Sequence, residues 1–419
     1  MSLSLGIDLG TSGIRCAVVD ADNSVVAMTR GAYPDDSANG WWRAVSEGLA
    51  ALKAEIGEDG MRAIERAAID GTSGTMVLVD RDLEPVTDPL MYFSSGFDAE
   101  AAEIAQHAPP GDITRGSSSA LARLLRLQAL DRDGRATHMC HQADFILAKL
   151  TGQAGRSDEN NCLKTGYDVA ARRWPDWIAK TPVKTTLLPD VHPVGTLLFK
   201  VDPAIATQFG FAPSLTFCAG TTDSIAAFLA TGVSEVGEVV TSLGTTLAIK
   251  VLSDVRIDDA AHGIYSHRLG DTWLVGGASN TGGGALLAQF DLETLASLSA
   301  QINPKTSSGL KYYPLPRPGE RFPINDPKLE PILTPRPDDD VRFVHGLLEG
   351  ITRIEAQCYA ALKERGAPTL TRIYTAGGGV KNPAWMAIRE RLIDTPSEIA
   401  AQTEAAIGAA LLAKRVPSA

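Results

Sequence analysis

A strand-like run that ends in a turn of glycine and threonine occurs in both halves of this sequence, and this recurrence constrains the fold more than any other feature. Residues 3–8 lead into Gly10-Thr11-Ser12-Gly13 and then into a second apolar run, residues 14–19. Residues 238–243 lead in the same way into Gly244-Thr245-Thr246 and a further apolar run. Short apolar runs joined by such turns predict hairpins. Two of them predict related halves, although the likeness is too short to prove a duplication by itself.

Strands and helices alternate along the rest of the chain, which predicts an α/β fold. Residues 98–177 are interpreted as mainly helical. Residues 304–337 are rich in proline and charge, and they predict a long irregular segment between elements. Apolar residues at helical spacing then predict a long amphipathic helix that ends near Gly366.

The size and charge of the chain limit its class. A chain of 419 residues suits two domains. Hydrophobic residues make up 44% and charged residues 21%, as in folded globular proteins. The net charge of -11 argues against nucleic acid or an anionic membrane as the main partner. It does not argue against a nucleotide, because backbone amides and a metal ion can hold phosphates locally.

The cysteines and the first residues predict a cytoplasmic protein. The five cysteines are scattered, and no pair has metal-ligand spacing, so we expect buried thiols in a reducing compartment. The sequence begins without a secretory or transit pattern, and no apolar run is long enough to span a bilayer. The oligomeric state is left open.

The first turn and Asp8 have the features of a phosphate site. Glycine-rich turns let backbone amides approach phosphate oxygens closely, and a carboxylate can hold Mg²⁺, usually through water. An ordinary hairpin with a capping aspartate is about equally expected for one such turn alone. The second turn, at Gly244-Thr245-Thr246, makes the phosphate interpretation the better one.

Asp223 is a candidate general base. It follows Gly220-Thr221-Thr222 at the start of a predicted helix, where the helix dipole favours the ionised form that a base requires. An N-cap aspartate is equally compatible with this position and, without context, more common.

Three further glycine-containing segments are candidate ligand contacts. Residues 376–382 and 276–284 could pass close to adenine and ribose, and residues 71–75 could present hydroxyls and amides to a sugar. Flexible loops or a plain connection between strands are the structural alternatives. The sequence has no Gly-Lys-Ser/Thr P-loop, which disfavours that class of nucleotide enzyme.

Taken in order, these segments resemble the FGGY carbohydrate kinases over nearly the whole chain. Within this family of glycerol, xylulose and ribulose kinases, the chain looks most like the short D-ribulose kinases of cyanobacteria and plants. The most specific matches are Gly6-Ile7-Asp8-Leu9-Gly10-Thr11-Ser12, Ala219-Gly220-Thr221-Thr222-Asp223, Thr241-Ser242-Leu243-Gly244-Thr245-Thr246, Ala376-Gly377-Gly378-Gly379 and, for the ribulose kinases, Asp70-Gly71-Thr72-Ser73-Gly74-Thr75.

The resemblance implies an α/β fold of two actin-like, ribonuclease-H-like domains with a catalytic cleft between them. Residues 1–230 are then the sugar-side domain, completed by a C-terminal helix at 404–419, and residues 231–403 are the nucleotide-side domain. Asp223 matches the catalytic aspartate, and Asp8 matches the carboxylate near Mg²⁺. The implied sugar contacts are Asp8, Ser12, Gly13, Ile14, Arg15, Ser73 and Asp223. The implied nucleotide contacts are Gly10, Thr11, Gly244, Thr245, Gly283, Gly377, Gly378, Gly379 and Asn382.

The activity implied is ATP- and Mg²⁺-dependent phosphorylation of D-ribulose to D-ribulose 5-phosphate. D-xylulose, another pentulose or a polyol is the alternative substrate. Residues 71–75 are smaller here than in glycerol kinases and typical xylulose kinases, which argues against glycerol and the usual bacterial xylulose substrate. The alternative of another class is an actin-like ATP-binding protein without sugar kinase activity. Small-molecule sugar and ATP are the expected partners, with neither nucleic acid nor membrane.

Overall fold

The computed structural model describes residues 2–415 and divides into two compact units. Unit 1 contains the chain up to Ala230, the segment Arg268–Gly270 and the chain from Gln402 onward. Unit 2 contains Thr231–His267 and Asp271–Ala401. The predicted ranges also include residue 1 and residues 416–419, which lie outside the described residues.

Unit 1 is built on a seven-stranded sheet, with two small two-stranded sheets beside it. Its strands are β1 (Leu3–Leu9), β2 (Gly13–Val19), β3 (Val25–Ala32), β4 (Ile64–Gly71), β5 (Met76–Val79), β6 (His138–His141), β7 (Arg156–Asp158), β8 (Asp190–His192), β9 (Leu197–Lys200), β10 (Thr216–Cys218) and β11 (Thr221–Thr222). The main sheet has the order β3-β2-β1-β4-β10-β9, and β11 pairs with β4. The predicted hairpin of β1 and β2 is confirmed. Because β1, β10 and β11 all run parallel to β4, their carboxyl ends lie at one edge of the sheet.

The helices of unit 1 bury the sheet. They are α1 (Ala38–Arg62), α2 (Asp98–Ala105), α3 (Ala120–Leu130), α4 (Gln142–Thr151), α5 (Glu159–Leu163), α6 (Pro203–Phe209) and α7 (Asp223–Ala230). All seven residues of β1 are buried, as expected of a central strand covered on both faces. The interpretation of residues 98–177 as mainly helical is only partly right, because β6 and β7 interrupt the helices. Strands of four and three residues are too short to show a periodicity in the sequence.

Unit 2 repeats the central arrangement of unit 1 in its own six-stranded sheet. Its strands are β12 (Glu238–Leu243), β13 (Leu247–Ser253), β14 (Tyr265–Leu269), β15 (Thr272–Ser279), β16 (Arg372–Ala376) and β17 (Ser397–Ile399). The sheet order is β14-β15-β13-β12-β16-β17. β12 is antiparallel to β13 and parallel to β16, as β1 is antiparallel to β2 and parallel to β4. The two predicted hairpins therefore occupy equivalent places in two sheets.

The helices of unit 2 lie mainly in its second half. They are α8 (Gly283–Leu287), α9 (Leu292–Ser299), α10 (Asp340–Glu364) and α11 (Pro383–Leu392). The predicted amphipathic helix is confirmed as α10. Residues 304–337, all of them described, contain no helix or strand, as predicted.

A buried ion pair joins two of these helices. Arg389 of α11 donates from Nε and Nη2 to the two carboxylate oxygens of Glu355 in α10, at 2.8 and 2.6 Å. Tyr359 donates to Glu355 Oε1 at 2.5 Å, and Arg389 Nη1 donates to Thr375 Oγ1 of β16 at 2.7 Å. Arg389 and Glu355 are 2% and 0% exposed. This network ties α10, α11 and the sheet together.

The helix α12 (Ala405–Lys414) belongs to unit 1 and packs against α7 and β1. Two glycines allow the close approach. A Cβ atom on Gly6 of β1 would lie 1.9 Å from the carbonyl oxygen of Ala406, and one on Gly408 would lie 1.7 Å from the carbonyl oxygen of Ala226. A larger residue at Gly6 would push α12 away from β1, and a larger residue at Gly408 would push it away from α7.

Candidate active site

The turn between β1 and β2 exposes two hydroxyl residues. The amide of Gly10 donates to the carbonyl oxygen of Gly13 at 3.0 Å and closes the turn. Thr11 and Ser12 at its apex are exposed, and Thr11 Oγ1 lies 3.3 Å from the phenol oxygen of Tyr92. Exposed hydroxyls on a tight turn are suited to contact phosphate or sugar oxygens.

The two predicted sugar contacts that follow can offer only their backbone. A Cβ atom on Gly13 would lie 2.2 Å from the carbonyl oxygen of Gly31, so the turn passes very close to β3. The side chain of Ile14 is 2% exposed and belongs to the core of unit 1. The structure therefore places the Ile14 side chain away from any ligand.

Asp8 lies near the carboxyl end of β1 and is 2% exposed. Its Oδ2 accepts a hydrogen bond of 3.0 Å from Nη1 of Arg15, the residue opposite it on β2. Arg15 Nε lies 2.8 Å from Glu404 Oε2. Burial raises the pKa of Asp8, and hydrogen bonding with Asp70 and Arg15 opposes that increase. Arg15, predicted as a sugar contact, thus positions two carboxylates, a role that the sequence did not indicate.

Asp70 is an acid of this site that the sequence analysis did not single out. It lies in β4, directly opposite Asp8 of β1 and Thr221 of β11, and it is fully buried. No N–H group of the described residues donates to either of its carboxyl oxygens. Burial, followed by the negative charges of Asp8 and Asp223, raises the pKa of Asp70 well above its usual value. Its surroundings therefore favour the protonated form of Asp70 more than those of an exposed aspartate would.

Asp223 begins α7 immediately after β11. Its Oδ1 accepts a hydrogen bond of 2.6 Å from the amide of Ser224, and the residue is partly exposed. Because β1, β4 and β11 are neighbouring parallel strands, Asp8, Asp70 and Asp223 lie at the same edge of the sheet. Partial exposure leaves the Asp223 carboxylate accessible, unlike the carboxyl groups of Asp8 and Asp70.

The segment after β4 is held by a residue that sequence reasoning missed. The amide and the hydroxyl group of Thr72 both donate to Gln142 Oε1, at 3.1 and 2.7 Å. Ser73 Oγ is buried and has no hydrogen-bond partner among the described residues. The sugar contact predicted for Ser73 stays a prediction, and its hydroxyl group has no competing partner among the described residues.

Unit 2 has a cavity of about 1090 Å³ beside its own glycine–threonine turn. The amide of Gly283 donates to the carbonyl oxygen of Gly244 at 2.8 Å, which ties the start of α8 to the turn. Most lining side chains are apolar, with Leu286, Leu295 and Trp385 among them. An apolar cavity of this size suits a flat base and its ribose. The predicted nucleotide residues that line it are Gly244, Thr245, Gly283, Gly378, Gly379 and Asn382.

The glycine loop after β16 forms one wall of this cavity. Gly377 has a φ of 87°, and a Cβ atom there would lie 2.7 Å from the carbonyl oxygen of Leu243. Gly377 therefore lets the loop pack directly against the backbone at Leu243. Asn382 Oδ1 accepts from the amide of Trp385 at 3.1 Å, and its Nδ2 donates to Ser299 Oγ at 2.9 Å. The Asn382 side chain thus fixes the start of α11, in addition to lining the cavity.

Comparison with known proteins identifies one domain of the chain. Residues 239–415 match the C-terminal domain of the FGGY family of carbohydrate kinases. The C-terminal part of the chain is therefore a domain of the FGGY type. The chain is similar to the xylulose kinase of Klebsiella pneumoniae (23% identity over 77% of this chain and 71% of that protein) and to the gluconokinase of Bacillus subtilis strain 168 (20% identity, 98% and 87%). It also matches the crystal structure of xylulose kinase from Rhodospirillum rubrum, with a TM-score of 0.83, 23% identity, and coverage of 98% of this chain and 89% of that one.

The likeness to this xylulose kinase structure confirms the predicted α/β fold of two domains and is consistent with the actin-like architecture expected for them. The prediction of buried thiols is also confirmed, because all five cysteines are buried and free. Among the described residues, no helix combines the length and the apolar character needed to cross a membrane.

Replacing Gly377 with alanine is expected to raise KM for ATP about tenfold. The positive φ and the contact with Leu243 should strain the loop by roughly 1–3 kcal/mol, and about 1.4 kcal/mol corresponds to a factor of ten. Gly366→Ala is the matched control, because Gly366 also has a positive φ (99°) but open space around it. Steady-state kinetics should show an altered KM only for Gly377→Ala. An equal rise in both variants would contradict the assignment of the loop to the nucleotide site.

Proposed function

We propose that this kinase transfers the γ-phosphate of ATP to the terminal hydroxyl of a ketopentose, with D-ribulose as the first candidate and D-ribulose 5-phosphate as the product. The observation that carries the proposal is the position of Asp223. It begins a helix at the carboxyl edge of the unit 1 sheet, near Asp8 and Asp70, and it is partly exposed. Its partial exposure gives the Asp223 carboxylate access to a ligand. The neighbouring acids make its surroundings strongly polar.

The residues then have distinct roles. Asp223 accepts the proton of the sugar hydroxyl while the hydroxyl oxygen bonds to the γ-phosphorus and the bond from phosphorus to the ADP oxygen breaks. Ser73 bonds to a second sugar hydroxyl. The turn at Gly244 and Thr245 holds the phosphates, and the adjoining cavity holds adenosine. Unit 1, including α12, is accordingly the sugar side, and unit 2 is the nucleotide side.

Magnesium fits the acids of unit 1. Mg²⁺ prefers oxygen ligands and is usually held by one or two carboxylates together with water and substrate phosphates. Asp8 supplies such a carboxylate, while Asp223 is left to accept the proton. The described residues contain no group of three or more side chains arranged to hold a metal alone, which suits an ion that arrives with the nucleotide. When bound, the ion neutralises charge on the phosphates.

The sugar is the least constrained part of the proposal. D-ribulose is favoured by the resemblance of residues 70–75 to the short ribulose kinases. D-xylulose is the second candidate, because several relatives are named xylulose kinases. Gluconate is a third, because another relative is named gluconokinase. The match of residues 239–415 to a carbohydrate kinase family argues against an actin-like protein without a sugar substrate.

A panel of sugars tests the proposal. ADP release with Mg²⁺ and ATP should be measured for D-ribulose, L-ribulose, D-xylulose, gluconate and glycerol. We expect kcat/KM for D-ribulose to exceed that for D-xylulose by about tenfold or more. The two sugars differ in the orientation of one hydroxyl group, and recognition of that group by buried polar side chains contributes about 1–3 kcal/mol to the discrimination. A higher kcat/KM for D-xylulose or gluconate would reassign the substrate. ADP release that no sugar stimulates would reject sugar phosphorylation altogether.

A further inference from the structure

A run of four polar residues, Asp158-Glu159-Asn160-Asn161, is buried where α5 begins. Each of the four is at most 1% exposed. Buried polar groups are costly unless they are hydrogen-bonded. Asp158 is hydrogen-bonded as the N-cap of α5, because its Oδ1 accepts from the amides of Asn160 and Asn161 at 2.9 and 2.8 Å. The cap fixes the backbone from which the two asparagine side chains project.

Both asparagines donate to Thr221. Asn160 Nδ2 donates to the hydroxyl oxygen of Thr221, and Asn161 Nδ2 donates to its carbonyl oxygen, each at 3.0 Å. Asn161 Nδ2 also donates to Asp158 Oδ2 at 2.6 Å. Thr221 is fully buried and lies two residues before Asp223. The side chain and the main chain of one residue in this turn are thus held by separate amide groups.

The opposite side of the same turn is held by the sheet. Thr221 and Thr222 pair with Asp70 and Gly71 of β4. Gly220 leaves no room there, since a Cβ atom on it would lie 1.9 Å from the carbonyl oxygen of Ile69. The turn that leads to Asp223 is therefore fixed by backbone on one side and by two asparagines on the other.

The asparagines are not arranged for stability alone. Asn160 Oδ1 and Asn161 Oδ1 are buried, and neither has a hydrogen-bond partner among the described residues. An unpaired buried acceptor lowers stability, whereas apolar groups of the same shape avoid that cost. A residue with such a destabilising unpaired atom is expected where function requires its other atoms. Here those other atoms are the two amide nitrogens that donate to Thr221.

We propose that Asn160 and Asn161 are positioning residues for phosphoryl transfer. Acting through Thr221, they hold the Asp223 carboxylate at the distance and angle that proton transfer from the sugar requires. They need not touch sugar or nucleotide. This inference rests on the proposed role of Asp223, and a misplacement of about 1 Å can cost on the order of 10²-fold in rate.

The double variant Asn160→Leu/Thr221→Val tests the inference. It replaces both partners of one hydrogen bond with apolar groups of similar size and also removes the unpaired Asn160 Oδ1, so the thermal midpoint should stay within a few degrees of wild type. We expect kcat to fall by about 10- to 100-fold, with KM for ATP unchanged. Amide hydrogen exchange at residues 220–223 should become faster. Asn161→Leu, which removes the unpaired Asn161 Oδ1 together with the donor to the Thr221 carbonyl oxygen and adds no charge, should lower kcat by a similar factor.

Thr151→Val is the matched control. Thr151 is a buried threonine of unit 1 that donates to the carbonyl oxygen of Leu147 within α4, so its loss should leave kcat and the exchange at residues 220–223 unchanged. A folded double variant with wild-type kcat, or with unchanged exchange at residues 220–223, would overturn the positioning role. The exchange measurement needs no turnover. A wild-type protein inactive with every sugar would therefore reject the proposed kinase reaction, while the exchange data would still decide whether the asparagines hold the turn.

Discussion

Asp223→Asn is expected to lower kcat with the preferred sugar by about 10²–10⁴-fold, the usual contribution of a general base. The amide cannot accept the hydroxyl proton, but it keeps the size of the side chain and an oxygen for the Ser224 amide. The proposed adenosine cavity lies wholly in unit 2, so the affinity for ATP should stay within about twofold of wild type. Sugar-dependent ADP release and calorimetric ATP binding measure the two effects separately.

Asp202→Asn provides the control for this variant. Asp202 is also an acid of unit 1 at the start of a helix, where its Oδ1 accepts from the amides of Ala204 and Ile205. Its replacement should leave kcat unchanged, because it only caps α6. If Asp223→Asn kept wild-type turnover, Asp223 would be a cap of the same kind and the proposed base would have to be another residue.

Arg389→Met is expected to produce the largest loss of stability, about 3–5 kcal/mol in the free energy of unfolding of unit 2. The substitution leaves Glu355 buried without its cation and takes a donor from Thr375. Burial by itself disfavours the charged guanidinium, yet its hydrogen bonds to Glu355 outweigh this effect and raise the pKa of Arg389. Urea unfolding monitored by hydrogen exchange in α10 and β16 measures the change in the affected unit.

A second substitution separates the cost of an unpaired charge from the value of the pair. Arg389→Met/Glu355→Leu removes both charges, and replacing a buried ion pair by apolar residues is often close to neutral. The double variant should therefore recover most of the lost free energy. Equal stability of the single and double variants would show that the guanidinium acts through packing and not through Glu355.

Local sequence patterns predicted the elements to which we assign ligand binding. Both hairpins, the amphipathic helix α10 and the helix after Asp223 follow from apolar spacing and turn residues within short windows. Asp70 was missed as a residue of the site, although the sequence contains a signal for it. It stands before Gly71-Thr72-Ser73-Gly74, as Asp8 stands just ahead of Gly10-Thr11-Ser12-Gly13. An acid ahead of the same four residue types at the end of a buried strand could have been read as a second member of the site.

Other parts of the site depend on contacts that no local pattern contains. Arg15 is positioned by Glu404, almost four hundred residues further along the chain. Asn160 and Asn161 reach Thr221 across sixty positions. A single sequence gives no sign that a polar run at residues 158–161 is buried, because its composition is that of an exposed turn. Such pairings become visible only when the fold brings the segments together.

The place of α12 bears on the order in which the chain can fold during synthesis. Unit 1 begins with the strand at residue 3, yet its core lacks the helix that packs on β1 and α7 until residues 405–414 have been made. Unit 2 needs nothing beyond Ala401 and can be complete earlier. The part of the enzyme translated first is therefore finished last. A premature stop codon shortly after residue 401 would leave all of unit 2 in place. It would instead damage unit 1, which contains Asp8 near the start of the sequence.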